Sequence, residues 1–303
     1  MRKTISIVIP VFNEEENLRE FYTRLTKVMS EVSYDYDIIF VDDGSRDASS
    51  AILYDLSQND EHVQAYLLSR NFGHQMALTC GLDHAEGDAV ITMDGDLQHP
   101  PELIPELLGL WEAGYEIVQT VRKDTADASK FKKITSSTYY KLINKMSKVH
   151  ITPGGSDFRL MDRVAIEALR LYNERARFIR GLVNNLGFKL TTLEFVAPPR
   201  FAGQSKYNLH KMLHFALDGI TAFSNVPLRW AFYVGLSFGF GSMLVLGHVL
   251  FIKLFTEEAV SGWATIAASV LFLGGIQLVG IGILGEYIGR IFEEVKQRPL
   301  YLI

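Results

Sequence analysis

The chain carries one cysteine, Cys80, in 303 residues. An internal disulfide is excluded, and a reducing compartment suits such a composition. Cys80 itself reads as a small buried residue on a helix. A cleavable leader is not expected either. The run Ile5 to Phe12 is short, contains Pro10 and meets Glu14-Glu15-Glu16. A strong overall charge is missing: the formal net charge is -5, which by itself says nothing about partners. Charge is absent altogether from two long stretches, Trp230 to Ile252 and Ala259 to Gly285. The first is about 23 residues, enough to span a bilayer. The second is about 27 residues and spans with tilt.

What is present around those stretches defines a membrane hairpin. The loop Lys253–Glu258 between them is short. Lys206, Lys211 and Arg229 precede the hairpin, and Arg290, Lys296 and Arg298 follow it, with only Lys253 between. The positive-inside rule puts both termini and the preceding domain in the cytoplasm, and the chain in the cytoplasmic (inner) membrane. Gly235 and Gly239, and Gly285 and Gly289, have the spacing of close helix contacts. Leu209, Met212, Leu213, Ala216, Ile220 and Phe223 fall at helical spacing among His210, Lys211, His214 and Asp218, the pattern of an amphipathic interfacial helix. The expected organisation is a cytoplasmic domain at 1–207, an interfacial helix at 208–226, a transmembrane hairpin at 227–289 with spans near 230–252 and 262–285, and a tail at 290–303.

From Ile5 to Val121 apolar runs alternate with helical patterns. Strands are expected at Ile5–Val11, Ile38–Val41, Val63–Leu68, Ala89–Met93 and Glu116–Val121. That order predicts an α/β domain with a mostly parallel sheet covered on both faces. Asn13 is expected to cap a helix whose first turn holds Glu14, Glu15 and Glu16. Each strand's carboxyl end carries polar residues: Asn13 and Glu14, Asp42 and Asp43, Arg70, Asp94 and Asp96, and Arg122. Open α/β sheets bind ligands along that rim.

The stretch Met93-Asp94-Gly95-Asp96-Leu97-Gln98-His99-Pro100-Pro101-Glu102 dominates the rim. Two carboxylates one residue apart at a strand end suit Mg²⁺ or Mn²⁺, which take hard oxygen ligands and leave room for phosphate. A helix is expected to begin at Glu102. Alone, Asp-x-Asp is more often a solvated turn. A basic segment follows, with Arg122, Lys123, Lys130, Lys132, Lys133, Lys141, Lys145 and Lys148 against Asp124 and Asp127. It reads either as a solvated helix face or as a site for an anionic head group near a membrane. Lys133 and Ser137 share a helical face and, with Arg122, can hold a phosphate. Gly154-Gly155 predicts a turn into a strand that delivers Asp157 at a bend. Arg200 to Tyr207 is a loop with two cations, Arg200 and Lys206.

Taken together and in order, Ile9-Pro10-Val11-Phe12-Asn13-Glu14-Glu15, Val41-Asp42-Asp43-Gly44-Ser45, Asp94 to Glu102 and Gly203-Gln204-Ser205-Lys206-Tyr207 resemble the inverting polyprenyl-phosphate glycosyltransferases, the family that includes dolichyl-phosphate mannose synthase. Asp157 to Met161 and Phe272 to Arg290 are closer to the bacterial bactoprenol (undecaprenyl-phosphate) glucosyltransferases of O-antigen modification. The resemblance covers nearly the whole chain.

The resemblance implies a GT-A fold, a nucleotide-sugar donor, a polyprenyl phosphate acceptor and Mg²⁺ or Mn²⁺ as cofactor. Pro10, Asn13, Glu14, Asp42 and Arg70 match its nucleotide pocket. Asp94, Asp96 and Gln98 match the metal and diphosphate motif, with Asp94 bridging to ribose or metal. Arg122, Lys133 and Ser137 match the acceptor-phosphate positions, Lys133 standing where some relatives carry arginine. Asp157 matches the proposed base. Its alternatives are a positioning group and a simple turn residue, because a phosphate monoester is already mostly dianionic near neutral pH. Arg200, Ser205 and Lys206 match the loop that closes over the diphosphate. The implied reaction is transfer of a hexose, glucose from UDP-glucose first, with inversion to a β-linked lipid-phosphate sugar. GDP-mannose, UDP-N-acetylhexosamine and UDP-aminoarabinose donors share these motifs. The other implied partners are the membrane, a homo-oligomer and a downstream flippase; nucleic acid is not among them. A processive polysaccharide synthase is disfavoured, because Val226 stands where its Gln-x-x-Arg-Trp motif needs glutamine before Arg229-Trp230. A lipid carrier or flippase scaffold explains the hairpin and the basic segment but leaves Asp94, Asp96 and the polar rim without a role.

Overall fold

A computed structural model describes residues 2–123, 154–175, 177–196, 198, 226–255 and 262–303. Lys133, Ser137, Arg200, Ser205, Lys206 and the expected interfacial helix up to residue 225 lie outside the described residues. The chain divides into two units, Met1–His214 with Arg298–Ile303, and Phe215–Gln297.

Among the described residues of the first unit seven strands make one sheet: β1 Thr4–Val11, β2 Asp35–Asp42, β3 Val63–Leu67, β4 Ala89–Thr92, β5 Ile117–Arg122, β6 Gly155–Asp162 and β7 Leu190–Phe195. Their order is β3-β2-β1-β4-β6-β5-β7. β6 runs antiparallel to β4 and β5, and the other pairs are parallel. In β1 every residue after Thr4 is buried, as expected of a central strand covered on both faces. The covering helices are α1 Leu18–Glu31, α2 Ser49–Asn59, α3 His74–His84, α4 Ile104–Glu112, α5 Arg163–Arg170 and α6 Ile179–Asn185. α1 buries Leu18, Phe21, Leu25, Val28 and Met29, one stripe at helical spacing. Phe21 meets Phe40 of β2 edge-on, with ring centroids 6.4 Å apart. Cys80 is fully buried in α3.

Three local expectations change. Asn13 does not cap a helix. It takes the left-handed conformation, φ 55°, and its Oδ1 accepts the N–H of Arg46 at 2.8 Å. Glu14 to Glu16 belong to the following turn, and α1 starts at Leu18. Asn tolerates positive φ better than most residues, and its side-chain oxygen is taken up by the Arg46 N–H of a distant loop and not by a helix N-terminus. The helix expected from Glu102 begins as a 3₁₀ turn, Pro101–Leu103, before α4. Asp157 is not at a bend. Gly154, at φ 72°, makes the turn, and Asp157 is the third residue of β6.

The second unit holds α7 Val226–Phe255 and α8 Trp263–Lys296. Val226–Val245 and Phe272–Lys296 are long and apolar enough to cross a membrane by length and composition. Trp230, Phe232, Leu236, Phe240, Leu278 and Ile281 are exposed, an apolar surface that a lipid phase would cover. Phe238 and Phe272 cross edge-on at 5.6 Å between the two helices. The paired glycines do not make this contact: among the described residues nothing lies within 4 Å of a Cβ built on Gly235, Gly239, Gly285 or Gly289.

Candidate active site

The strand order reverses between β1 and β4, so the crevice at their carboxyl ends is the ligand site such a sheet offers. Asp94 and Asp96 lie there, directly after β4. The turn that carries them is strained at Leu97, a buried residue with φ 61°. The N–H of Asp94 donates to His99 Nδ1 at 2.8 Å, and that of Gln98 donates to Asp96 Oδ1 at 3.1 Å. His99 is buried and stacks on Phe158 of β6, centroids 5.4 Å apart. His99 Nδ1 also lies 3.6 Å from Asp94 Oδ2. Because Nδ1 already accepts the Asp94 N–H, the ring acts there as an acceptor and that approach is not an ion pair. The Asp94 Oδ1 atom is buried and has no hydrogen bond among the described residues.

Register brings Asp157 to the same place. Thr92 pairs with Arg159 in the antiparallel β4–β6 ladder, so two residues further on Asp157 stands level with Asp94. Arg180 of α6 grips Asp157 through Nε on Oδ1 at 2.9 Å and Nη2 on Oδ2 at 2.7 Å. Arg159 Nη2 adds a third contact to Oδ1 at 2.7 Å. His74, the first residue of α3, places Nε2 3.6 Å from both Asp157 Oδ2 and Asp94 Oδ1. Arg159 is fully buried, whereas the Arg180 and His74 side chains are 33% and 42% exposed.

The charges in this cluster follow from those contacts. Burial opposes ionisation of Asp157, but the Arg180 charge, the His74 contact and Arg159 outweigh it and hold the carboxyl well below its usual range. Burial also opposes charge on His74, and the Asp157 contact with the Asp94 charge raises its pKa in spite of that. Burial pushes Arg159 down to about 10 against the pull of Asp157. Asp157 is thus a carboxylate at neutral pH, clasped by Arg180 and Arg159.

The other rim residues fall around this cluster. Pro10 is the penultimate residue of β1 and is buried. Glu14 Oε2 accepts from Asn17 Nδ2 at 2.6 Å. Asp42 is buried, with Oδ1 taking Ser45 N at 3.1 Å and Oδ2 taking Ser50 Oγ at 2.5 Å. Asp43 holds the next loop, accepting Phe72 N at 2.7 Å and Gly73 N at 2.9 Å. Arg70 lies over the Phe72 ring, 4.0 Å from its centroid. Arg122, at the end of β5, donates through Nη1 to Gln98 Oε1 at 3.3 Å, joining the expected acceptor site to the expected diphosphate motif. His74 and Arg180 had no motif to mark them. Arg159 and His99 stood inside quoted motifs, but their partners are set by the fold.

Among the described residues no three His, Cys, Asp or Glu side chains are arranged to hold a metal by themselves. Asp94, Asp96 and Gln98 fit a cation that completes its shell with ligand oxygens, and the unbonded Asp94 Oδ1 is an acceptor of the required kind.

A mostly parallel α/β sheet with acidic residues at its switch point defines the class. Residues 6–170 match glycosyl transferase family 2, and the chain belongs to that family. An uncharacterized glycosyltransferase of Bacillus subtilis is 44% identical over 98% of this chain and 92% of its own length. A prophage bactoprenol glucosyl transferase homolog of Escherichia coli is 43% identical over 99% of this chain and 98% of its own. A bactoprenol glucosyl transferase of a Shigella phage is also 43% identical, over 99% and 97%. Among solved structures, mannosyl-3-phosphoglycerate synthase from Rubrobacter xylanophilus shares the fold with a TM-score of 0.51, 15% identity and coverage of 73% and 72%.

Proposed function

We propose that this glycosyltransferase moves glucose from UDP-glucose to undecaprenyl phosphate, with inversion, on the cytoplasmic leaflet of the inner membrane. The observation that carries the reading is full-length similarity, at 43% identity, to proteins named bactoprenol glucosyl transferase. The two apolar helices support it, since the acceptor is a membrane lipid.

In this reading the acceptor phosphate oxygen attacks the anomeric carbon from the side opposite the diphosphate. The anomeric carbon–oxygen bond breaks with its electron pair leaving on the nucleoside diphosphate. A Mg²⁺ or Mn²⁺ ion held by Asp94, Asp96 and Gln98 would supply Lewis-acid neutralisation of that leaving group. Arg122, fixed by Gln98, orients the acceptor phosphate together with Lys133 and Ser137. Arg200, Ser205 and Lys206 close over the diphosphate and stabilise its charge. Pro10, Asn13, Glu14, Asp42 and Arg70 line the nucleotide pocket.

Asp157 acts here as a positioning residue. A carboxyl held far below its usual range by Arg180, the His74 contact and Arg159 is a weak base. The dianionic acceptor needs no proton removed. Its role is to fix Arg180 and His74 beside Asp94.

The test is a panel of radiolabelled nucleotide sugars with undecaprenyl phosphate and purified protein in detergent. UDP-glucose should put label into the lipid fraction, with a β-linked product. Preference for another sugar would move the substrate assignment, and no lipid-linked product would overturn the reading. A reporter fused after Ile303 should be cytoplasmic, as the flanking cations Arg229, Arg290, Lys296 and Arg298 require. A product made on that leaflet calls for a downstream flippase, and O-antigen modification is the use such a product suits.

A further inference from the structure

Six residues that follow α8 belong to the first unit, not to the helices they follow. Leu302 O accepts the N–H of Ser69 at 2.8 Å. β3 is an edge strand, and its ladder with β2 ends as Leu68 N donates to Asp42 O at 2.9 Å. The Ser69 N–H lies just beyond that ladder, and the tail supplies its acceptor. Tyr301 secures the same segment from its other side. Its hydroxyl donates to Asp83 Oδ2 at 2.9 Å, and its ring lies 6.5 Å from that of His84. His84 in turn packs on Tyr66 of β3 at 4.2 Å. The tail therefore clips the end of α3 to the edge strand.

Ser69 is the residue before Arg70. Three and four residues after Ser69 the loop is held again, where Phe72 and Gly73 donate to Asp43. Between these anchors the loop presses on the Asp42-Asp43-Gly44 turn. A Cβ on Gly44 would stand 2.6 Å from the Arg70 carbonyl carbon. Gly44 has φ 69°, so a side chain there is excluded twice over. Arg70 is fixed by an anchor on each side, one of them from the far end of the chain.

We propose that Tyr301 and Leu302 are positioning residues of the donor pocket, holding the Ser69–Gly73 loop so that Arg70 meets the nucleotide. The proposal rests on the reading of Arg70 as a donor-pocket residue. A flexible loop must be ordered at the moment of binding, and a loop ordered beforehand spares that cost. Losing one such hydrogen bond weakens donor binding about fivefold. The nucleotide itself never touches the tail.

Cys80 reports on the tail without reference to activity. It is the chain's one cysteine, it is fully buried, and Tyr301 contacts it. In the full-length protein in detergent, deletion of Tyr301–Ile303 should open Cys80 to iodoacetamide. The same deletion should raise the KM for UDP-glucose about fivefold while the lipid KM and kcat stay near wild type. Tyr301→Phe keeps the ring, loses the bond to Asp83 and should give a smaller rise, which guards against simple misfolding of the deletion. Arg70→Ala is run beside them. If Arg70→Ala leaves the donor KM unchanged, the donor-pocket reading of Arg70 fails and the proposal falls with it. If Arg70→Ala raises donor KM while the deletion does not, the positioning role of the tail is overturned. If Cys80 stays protected in the deletion, the docked tail itself is overturned.

Discussion

Arg180 and Asp157 form a two-point ion pair, Nε to Oδ1 at 2.9 Å and Nη2 to Oδ2 at 2.7 Å, across 23 residues of chain. The fork of a guanidinium matches a carboxylate in this way and fixes both partners in orientation. The pair stands beside Asp94 at the switch point of the sheet. It accounts for a carboxylate in the site without giving it a proton to move.

Asp157→Asn is expected to keep donor affinity and lower kcat about 100-fold, because a displaced group near the reacting atoms costs that much. Arg180→Ala should do the same. The double variant should be little worse than either single one, since both remove one interaction. Positioning predicts a defect that is flat from about pH 6 to 8, where the acceptor phosphate loses its last proton. A defect that shrinks across that range would restore Asp157 as a base.

The same residue ties stability to acid. Its folded pKa lies well below the unfolded value of about 3.9. Its contribution is therefore complete above the unfolded value and is lost as pH falls through the folded one. Thermal unfolding of the wild type should weaken more steeply below pH 4 than that of Asp157→Asn. At pH 7 the variant should be less stable by about 3 kcal/mol, because it leaves the Arg159 charge buried without a counter-ion. Parallel pH profiles would remove the linkage.

Asp96→Ala should leave a folded, membrane-bound protein and lower metal-dependent transfer about a thousandfold, the loss of several kcal/mol of charge stabilisation. Thermal melting with and without Mn²⁺ and UDP gives a second readout: the stabilisation they confer together on the wild type should vanish in the variant. Transfer that survives with unchanged Mn²⁺ dependence would sink the metal assignment.

Lys133→Ala should raise the lipid-phosphate KM about tenfold and leave the donor KM near wild type, as for loss of one charge-assisted bond to phosphate. Gln98→Ala should raise the lipid-phosphate KM less, through the lost support of Arg122, and should also weaken the metal-dependent step that Gln98 serves. A rise confined to the donor KM would assign the basic segment to the diphosphate instead.

The sequence by itself determined the strands β1 to β5, the polar rim at their carboxyl ends, the Asp94–Asp96 turn and the two apolar helices. These are local properties: burial on both strand faces demands continuous apolar runs, and spanning length demands uncharged ones. Only the tertiary structure decided that β6 inserts antiparallel between β4 and β5 and so carries Asp157 level with Asp94. Only it brought Arg180 and His74 to that carboxylate and joined Leu302 to Ser69. An arginine on a short helix, a histidine at a helix start and a tyrosine near the end of the chain look ordinary in sequence. Their partners lie 23, 83 and 218 residues away. No periodicity encodes such pairings, because sheet register and helix packing over the whole domain set which of them meet.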